Sequence, residues 1–422
     1  MKIAVYPSAP AGDIKAIASK SVAHRMLICA AFANEPSYIC CEQTNNDIEA
    51  TADCLRALGV VIERNECVYK VNPISKKEIV KNAILPCGES GSTLRFLLPV
   101  AAALGAECTF KMEGRLPSRP ISILKDELEA HGISFHYDSP DLLRISGQLA
   151  GSAYKIAGNV SSQFISGLLF ALSLLDSDST LEVTGNIESA PYVDITLDTL
   201  ALFGVRPSQN NNIYSGFAKG ILSSPSNITV EGDWSNAAFP LALGVIGAGN
   251  ALVKGLNDYS SQGDKKIVDL LRAFGGNITK NADGYLASTS KLHAIKIDAS
   301  QIPDLVPILA TVASVAQGET VIYGASRLRL KESDRLDSVC SFLSAIGADI
   351  AQTDDGLIIN GKERLSGGEV SSFNDHRIAM SAAVAATVCD APVIINGAEA
   401  TSKSYPSFWE DMASLGIHCQ VL

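Results

Sequence analysis

The amino-acid sequence predicts an α/β protein of two domains, each made of three βαβαββ units. Three observations carry this. A polar turn leading into an apolar helix occurs six times, and from the second copy on its anchors, Gly91, Ser161, Asp233, Asp304 and Asp375, follow at steps of 70, 72, 71 and 71 residues. Each apolar helix is followed by a Gly, Asp or Pro turn and a strand-like run, and each run by an amphipathic helix that stops at a glycine. A fixed period of this length marks a repeat architecture, one supersecondary unit copied along the chain.

Taken in order, the turns are Ser19-Lys20-Ser21 before the apolar run 26–32, Gly-Glu-Ser-Gly-Ser-Thr-Leu-Arg at 88–95 before 96–104, and Ser161-Ser162-Gln163 before 164–175. Asp233-Trp234-Ser235-Asn236, Pro303-Asp304 and Asp375-His376-Arg377 then precede 237–246, 305–316 and 378–388. Strand-like runs follow at 37–41, 107–111, 180–184, 251–254, 320–323 and 392–395. The amphipathic helices end at Gly59, Gly132, Gly204, Gly275, Gly347 and Gly416, because glycine tolerates the left-handed conformation of a helix stop. Two short strands close each of the first five copies, as 348–351 and 357–359 do around Thr353-Asp354-Asp355-Gly356. The sixth copy reaches Leu422 after only one closing strand, so residues 1–5 are expected to supply the other. Residues 1–17 with 233–422 then form a discontinuous domain bearing both chain ends, and residues 18–232 an inserted domain. The two crossings would lie together and act as a hinge.

Composition narrows the class. Of the 422 residues, 47% are apolar and 19% charged, enough for two cores and unlike a disordered chain. A net charge of −11 argues against a nucleic-acid partner or an anionic membrane surface. No signal peptide and no run of membrane-spanning length is visible, so a cytoplasmic protein is expected. The ten cysteines show no Cys-x-x-Cys spacing and read as reduced core thiols, with no metal site.

The polar turns are where chemistry can sit, since the free N–H groups of a helix start favour anions. At residues 88–95, Gly91 lets backbone approach a ligand and Ser92 or Thr93 can cap the helix. Lys20 and Ser21 stand at a helix start with Arg25 on a neighbouring face, and a buried arginine there asks for an anionic partner. Arg95 holds the equivalent place and reads as a structural bridge. Arg119 precedes Pro120, which suits a first helical turn. Ser161, Ser162, Gln163, Ser189 and Tyr192 offer neutral donors and caps. Asp304 is either an N-cap or a carboxylate able to take a proton from a hydroxyl. The cluster 327–335 is either a solvated helix face or, through Lys331, Glu332 and Arg335, an offer of acid, base and carboxylate-binding fork from one turn. His376 and Arg377 repeat the theme, His24 is the one rival histidine, and Lys403 completes the set.

Taken together, Ser19-Lys20-Ser21 with Arg25, the 88–95 turn, Ser161-Ser162-Gln163-Phe164, residues 329–335 and Asn374-Asp375-His376-Arg377 resemble the EPSP synthase family of enolpyruvyl transferases, in order and spacing from residue 20 to residue 403. The resemblance implies a two-domain inverse α/β barrel that closes on its substrates without a cofactor. It implies a shikimate-pathway transferase that moves the enolpyruvyl group of phosphoenolpyruvate to shikimate 3-phosphate, and a monomer is expected. By motif, shikimate 3-phosphate would meet Ser21, Arg25, Ser161, Ser162, Ser189, Tyr192, Asp304 and Lys331. Phosphoenolpyruvate would meet Lys20, Gly91, Arg119, Gln163, Arg335, Arg377 and Lys403. The catalytic set would be Asp304 as base with Lys20 assisting, and Glu332 as proton donor to carbon supported by His376, with the division among Lys20, Asp304 and Glu332 left open.

The sequence departs from the family pattern in places. Ala18, Glu89, Ser92, Phe96 and Arg327 stand where the family commonly has Gly, Asn, Thr, Pro and Asn, so the phosphate surroundings are expected to differ in charge. Retention of Gly91 implies sensitivity to glyphosate, a mimic of phosphoenolpyruvate. Two other readings stand beside this one. A UDP-N-acetylglucosamine enolpyruvyl transferase would carry a loop cysteine where this chain has Leu116-Pro117, and a non-catalytic anion-binding repeat protein would have no use for Asp304, Glu332 and His376.

Overall fold

The structure is a computed structural model that describes residues 1–217 and 221–422. The chain forms two compact units, Met1–Ile17 with Glu231–Leu422 (the terminal unit) and Ala18–Val230 (the inserted unit). Among the described residues, six four-stranded sheets occur, three in each unit. Each sheet joins a parallel pair of strands to two further strands that continue it antiparallel. In one, Ala153–Ala157 runs parallel to Thr180–Thr184, which pairs antiparallel with Ile213–Ser215 and through it with Ser208–Asn210.

The inserted unit contains helices α1 (Lys20–Ala31), α2 (Asn46–Ala57), α3 (Gly91–Leu104), α4 (Ser122–Ala130), α5 (Ser162–Ser173) and α6 (Ala190–Leu202). Helices α1, α3 and α5 are buried nearly all round, whereas α2 and α4 bury one stripe, the pattern expected when apolar helices lie inside a ring of sheets. At Gly167 the backbone of α5 meets α3 so closely that a Cβ would lie 2.4 Å from the Arg95 carbonyl oxygen. The terminal unit repeats the plan with α7 (Trp234–Ile246), α8 (Ile267–Ala273), α9 (Val306–Ala313), α10 (Arg335–Ala345), α11 (His376–Ala386) and α12 (Phe408–Ser414). Here α7, α9 and α11 pack on one another as the core. All six expected glycine stops have φ between 80° and 107°.

The missing strand of the sixth copy is found where the repeat requires it. Lys2–Val5 lies antiparallel between Val393–Asn396 and Cys419–Val421. The crossings carry an exchange that the sequence did not reveal. Asp13–Lys15 pairs with Asn250–Lys254 of the fourth copy, and Asn227–Thr229 pairs with Ser37–Cys40 of the first. Each crossing strand therefore completes a sheet of the unit that the chain is about to leave. The second boundary falls between Val230 and Glu231, two residues before the expected one. None of the ten cysteines forms a disulfide, and among the described residues no helix is long and apolar enough to cross a membrane.

Candidate active site

In the inserted unit the expected residues lie at the heads of its buried helices. Lys20 opens α1, and its ammonium donates to Asp47 Oδ2 at 2.8 Å, near the head of α2. Asp47 had no sequence signature, because its partner lies in another helix. Arg25 is 2% exposed and donates from Nε to Thr196 Oγ1 at 2.7 Å, from Nη1 to the Ser21 carbonyl at 2.6 Å and from Nη2 to the Tyr192 carbonyl at 2.8 Å. Within the protein this arginine is met by neutral oxygens of α1 and α6. Burial without a carboxylate pulls the guanidinium down to about 9, leaving a desolvated cation that an incoming anion would stabilise. Phe96 is wholly buried, with its ring under Arg25 at 4.8 Å, so the Pro-to-Phe departure supports the arginine from below.

The head of α3 is capped by Ser90, not by Ser92 or Thr93. Ser90 has extended backbone, and its Oγ accepts from the Thr93 amide at 3.3 Å. Ser92 Oγ instead accepts from Gln163 Nε2 at 2.8 Å, and Gln163 Oε1 accepts from Arg95 Nη1 at 2.8 Å. Arg95 also reaches the Pro120 carbonyl at 3.4 Å, the structural bridge expected of it. Pro120 lies before α4, which starts at Ser122, so it is outside the first turn; Arg119, with extended backbone before a proline, ends the 3-10 turn Leu116–Ser118. Arg119 and Arg95 both crowd Gly91, where a Cβ would lie 2.6 Å from Arg119 Nη1 and 2.9 Å from Arg95 Nη1. Gly91, Arg95, Arg119, Gln163 and Ser92 thus form one cluster. Ser161 caps α5 by accepting from the Gln163 amide at 3.3 Å, Ser162 is its buried first residue, and Ser189 precedes α6 with φ of 55° and no side-chain cap bond. The Glu89 carboxyl packs against Gly114.

In the terminal unit the charged residues converge on Arg335. Its side chain is 1% exposed and donates from Nε to Asp375 Oδ2 at 2.8 Å, from Nη2 to Asp375 Oδ1 at 3.3 Å and Glu332 Oε2 at 2.6 Å, and from Nη1 to Asp304 Oδ1 at 2.7 Å. Burial opposes this charge, but Asp375, Glu332 and Asp304 outweigh it and raise the guanidinium further. Asp304 therefore is not a helix cap. It lies in the 3-10 turn Pro303–Leu305, with Lys331 Nζ at 3.4 Å from Oδ1 and Arg377 Nη2 at 3.5 Å from Oδ2. Burial lowers the Lys331 ammonium, against the attraction of Asp304. Glu332 precedes α10, whose cap is Asp334, so the acid and arginine meet across a helix start and not along a solvated face.

Asp375 is the residue that the sequence reading undervalued. It caps α11 by accepting from the Arg377 amide at 3.0 Å, accepts from Ser333 Oγ at 3.1 Å, and still holds the Arg335 fork. His376 is buried beside it, with Nδ1 4.0 Å from Asp375 Oδ1. Lys403 ends the 3-10 turn Ala398–Lys403 and donates to the Asn374 carbonyl at 2.8 Å. Asp264 was also missed: burial, then the like charge of Asp304, pushes its carboxyl up to about 6, while Arg377 and a Ser235 hydrogen bond oppose the shift. The arrangement offers two carboxylates, Asp304 and Glu332, on one buried arginine with further cations alongside.

Comparison with known proteins gives a consistent result. The family model described as EPSP synthase (3-phosphoshikimate 1-carboxyvinyltransferase) matches residues 6–412. A 3-phosphoshikimate 1-carboxyvinyltransferase of Clostridium kluyveri is 44% identical over 98% of this chain and 97% of its own length. One of Brachyspira hyodysenteriae is 43% identical over 99% of each. A solved EPSP synthase of Acinetobacter baumannii superposes with a TM-score of 0.82 at 26% identity, covering 100% of both chains. The family model and the length over which these relatives align establish that the chain is an enzyme of the EPSP synthase family.

Proposed function

We propose that this chain transfers the enolpyruvyl group of phosphoenolpyruvate to the 5-hydroxyl of shikimate 3-phosphate, giving 5-enolpyruvylshikimate 3-phosphate and phosphate. The observation that carries the mechanism is the pairing of Asp304 and Glu332 on the Arg335 guanidinium. In the addition step the methylene carbon of the enol gains a proton from Glu332, supported by His376. The 5-hydroxyl oxygen bonds to the neighbouring carbon while Asp304, assisted by Lys20, takes the hydroxyl proton. In the elimination step the new methyl group returns its proton to Glu332, the double bond re-forms, the carbon–oxygen bond to phosphate breaks, and the departing phosphate takes the hydroxyl proton held on Asp304.

Both substrates are polyanions, so cations must offset their repulsion before they can react. Ser21, Arg25, Ser161, Ser162, Ser189, Tyr192, Asp304 and Lys331 are assigned to shikimate 3-phosphate. The burial of Arg25 among neutral protein oxygens, which lowers its guanidinium, supports that assignment. Lys20, Gly91, Arg119, Gln163, Arg335, Arg377 and Lys403 are assigned to phosphoenolpyruvate; the packing of Arg119 on Gly91 supports it. Phosphate release in the presence of phosphoenolpyruvate tests the function. It should occur with shikimate 3-phosphate and not with UDP-N-acetylglucosamine; the reverse result, or no release with either, would reject the assignment.

Gly91 provides a sharper prediction. An alanine methyl at this position must displace the Arg119 and Arg95 guanidinium groups. Gly91→Ala is expected to raise KM for phosphoenolpyruvate about tenfold or more and to weaken glyphosate inhibition at least as much, with KM for shikimate 3-phosphate little changed. Steady-state kinetics with each substrate varied in turn, and a glyphosate titration of both enzymes, check it. An unmodified enzyme that resists millimolar glyphosate would contradict the assignment of Gly91.

A further inference from the structure

One buried titratable group has no part in the mechanism above. His24 lies on α1, four residues after Lys20, and is wholly buried, as are Thr51 on α2 and Thr93 on α3. His24 Nδ1 lies 2.7 Å from Thr51 Oγ1, which lies 2.7 Å from Thr93 Oγ1, which lies 2.8 Å from Ser90 Oγ. Thr93 Oγ1 also lies 3.5 Å from the Asp47 carbonyl oxygen. A chain of four side chains, with the Asp47 carbonyl as a longer side contact at Thr93, therefore links three helices and ends at the cap residue beside Gly91.

The direction of the chain follows from its far end. Among the described residues the Nε2 atom of His24 has no hydrogen-bond partner. A buried N–H left unpaired is costlier than an unpaired lone pair, so the proton belongs on Nδ1. His24 then donates to Thr51, Thr51 to Thr93, and Thr93 to Ser90. Burial, with Lys20 and Arg25 adding to it, holds the imidazole well below its usual range, so it is neutral and has one N–H to give. Lys20 and Arg25 are the charged groups acting on it, and the other helices bring Thr51 at 2.7 Å and the edge-on ring of Phe96 at 6.4 Å. Valine would fill both threonine sites with the same volume and no polar atom to satisfy. Buried hydroxyls in series polarise one another and fix geometry in a way that apolar packing does not.

We propose that His24 is a positioning residue: through Thr51 and Thr93 it orients Ser90 and so holds the Gly91 amide at the head of α3 in register with Lys20 and Asp47. This rests on the reading above, in which Gly91 and Lys20 serve phosphoenolpyruvate. Thr51→Val breaks the chain while keeping its shape. It is expected to raise KM for phosphoenolpyruvate about tenfold, to change KM for shikimate 3-phosphate less than about twofold, and to leave the melting temperature near that of the unmodified enzyme. His24→Ala should do the same to KM, and His24→Asn, whose amide can donate from near the Nδ1 position, should restore it. The pair His24→Ala with Thr51→Val should be no worse than either alone, since both cut one chain. Nitrogen-15 NMR of the unmodified enzyme should find His24 protonated on Nδ1 and not on Nε2. An unchanged KM for phosphoenolpyruvate in Thr51→Val, or a proton on Nε2, would overturn the proposal. Absence of turnover with shikimate 3-phosphate in the unmodified enzyme would instead reject the assigned reaction, and the NMR measurement would still decide the direction of the chain.

Discussion

Asp304→Ala is expected to reduce turnover about a hundredfold or more while largely sparing shikimate 3-phosphate binding, because a positioned general base contributes on that scale. The carboxylate sits among Arg335, Lys331 and Arg377, so its loss removes both the proton acceptor and a partner of three cations. Asp304→Asn separates the two effects. It keeps an oxygen for Arg335 Nη1 but cannot accept the hydroxyl proton, so turnover should fall nearly as far as in the alanine variant. Near-normal turnover with asparagine would reduce Asp304 to a spacer between the cations. Pre-steady-state phosphate release and equilibrium binding of shikimate 3-phosphate are the measurements needed.

The second large effect is expected at Arg335. Its guanidinium holds Asp304, Glu332 and the wholly buried Asp375, and Asp375 in turn caps α11. Arg335→Met leaves buried carboxylates without their counter-ion, which typically costs about 3–5 kcal/mol of stability. Turnover should fall with it, since both proposed proton-transfer groups lose their anchor. Arg335→Lys restores the charge but not the planar fork that spans Nε and Nη2 toward Asp375 while Nη1 reaches Asp304. It should recover part of the stability and little of the activity. Urea unfolding beside kcat distinguishes the two losses, and a fully active lysine variant would show that charge alone suffices.

The parts of this architecture that were legible in the sequence are those written locally. The glycine stops, the apolar helices and the unpaired strand at residues 2–5 follow from backbone preference and side-chain period, which neighbouring residues determine. The cap of α3 was misassigned because Ser90, Ser92 and Thr93 are all competent caps, and which one is extended depends on where the preceding strand, Ala83–Gly88, ends. The neutral partners of Arg25 were not legible because Thr196 and the Tyr192 carbonyl come from a helix far along the chain. Asp47 and Asp264 were passed over for the same reason, and Asp375 was read as a repeat anchor without its hold on Arg335. Each is an ordinary residue near a helix start until its partner from another element is placed beside it.

The closure of the last sheet by Lys2–Val5 has a consequence for biosynthesis. When residue 230 has been made, the three sheets of the inserted unit have all their strands, including Asn227–Thr229, and that unit can fold. Lys2–Val5 by contrast is translated before the whole inserted unit, and it waits for Val393–Asn396 and Cys419–Val421. At roughly 5–20 residues per second the delay is on the order of 20–80 s. An apolar strand with bare edges for that long invites pairing with other nascent chains. Slowed translation is therefore expected to lower the yield of folded enzyme without changing the stability of the finished chain, which expression at two translation rates beside urea unfolding would check.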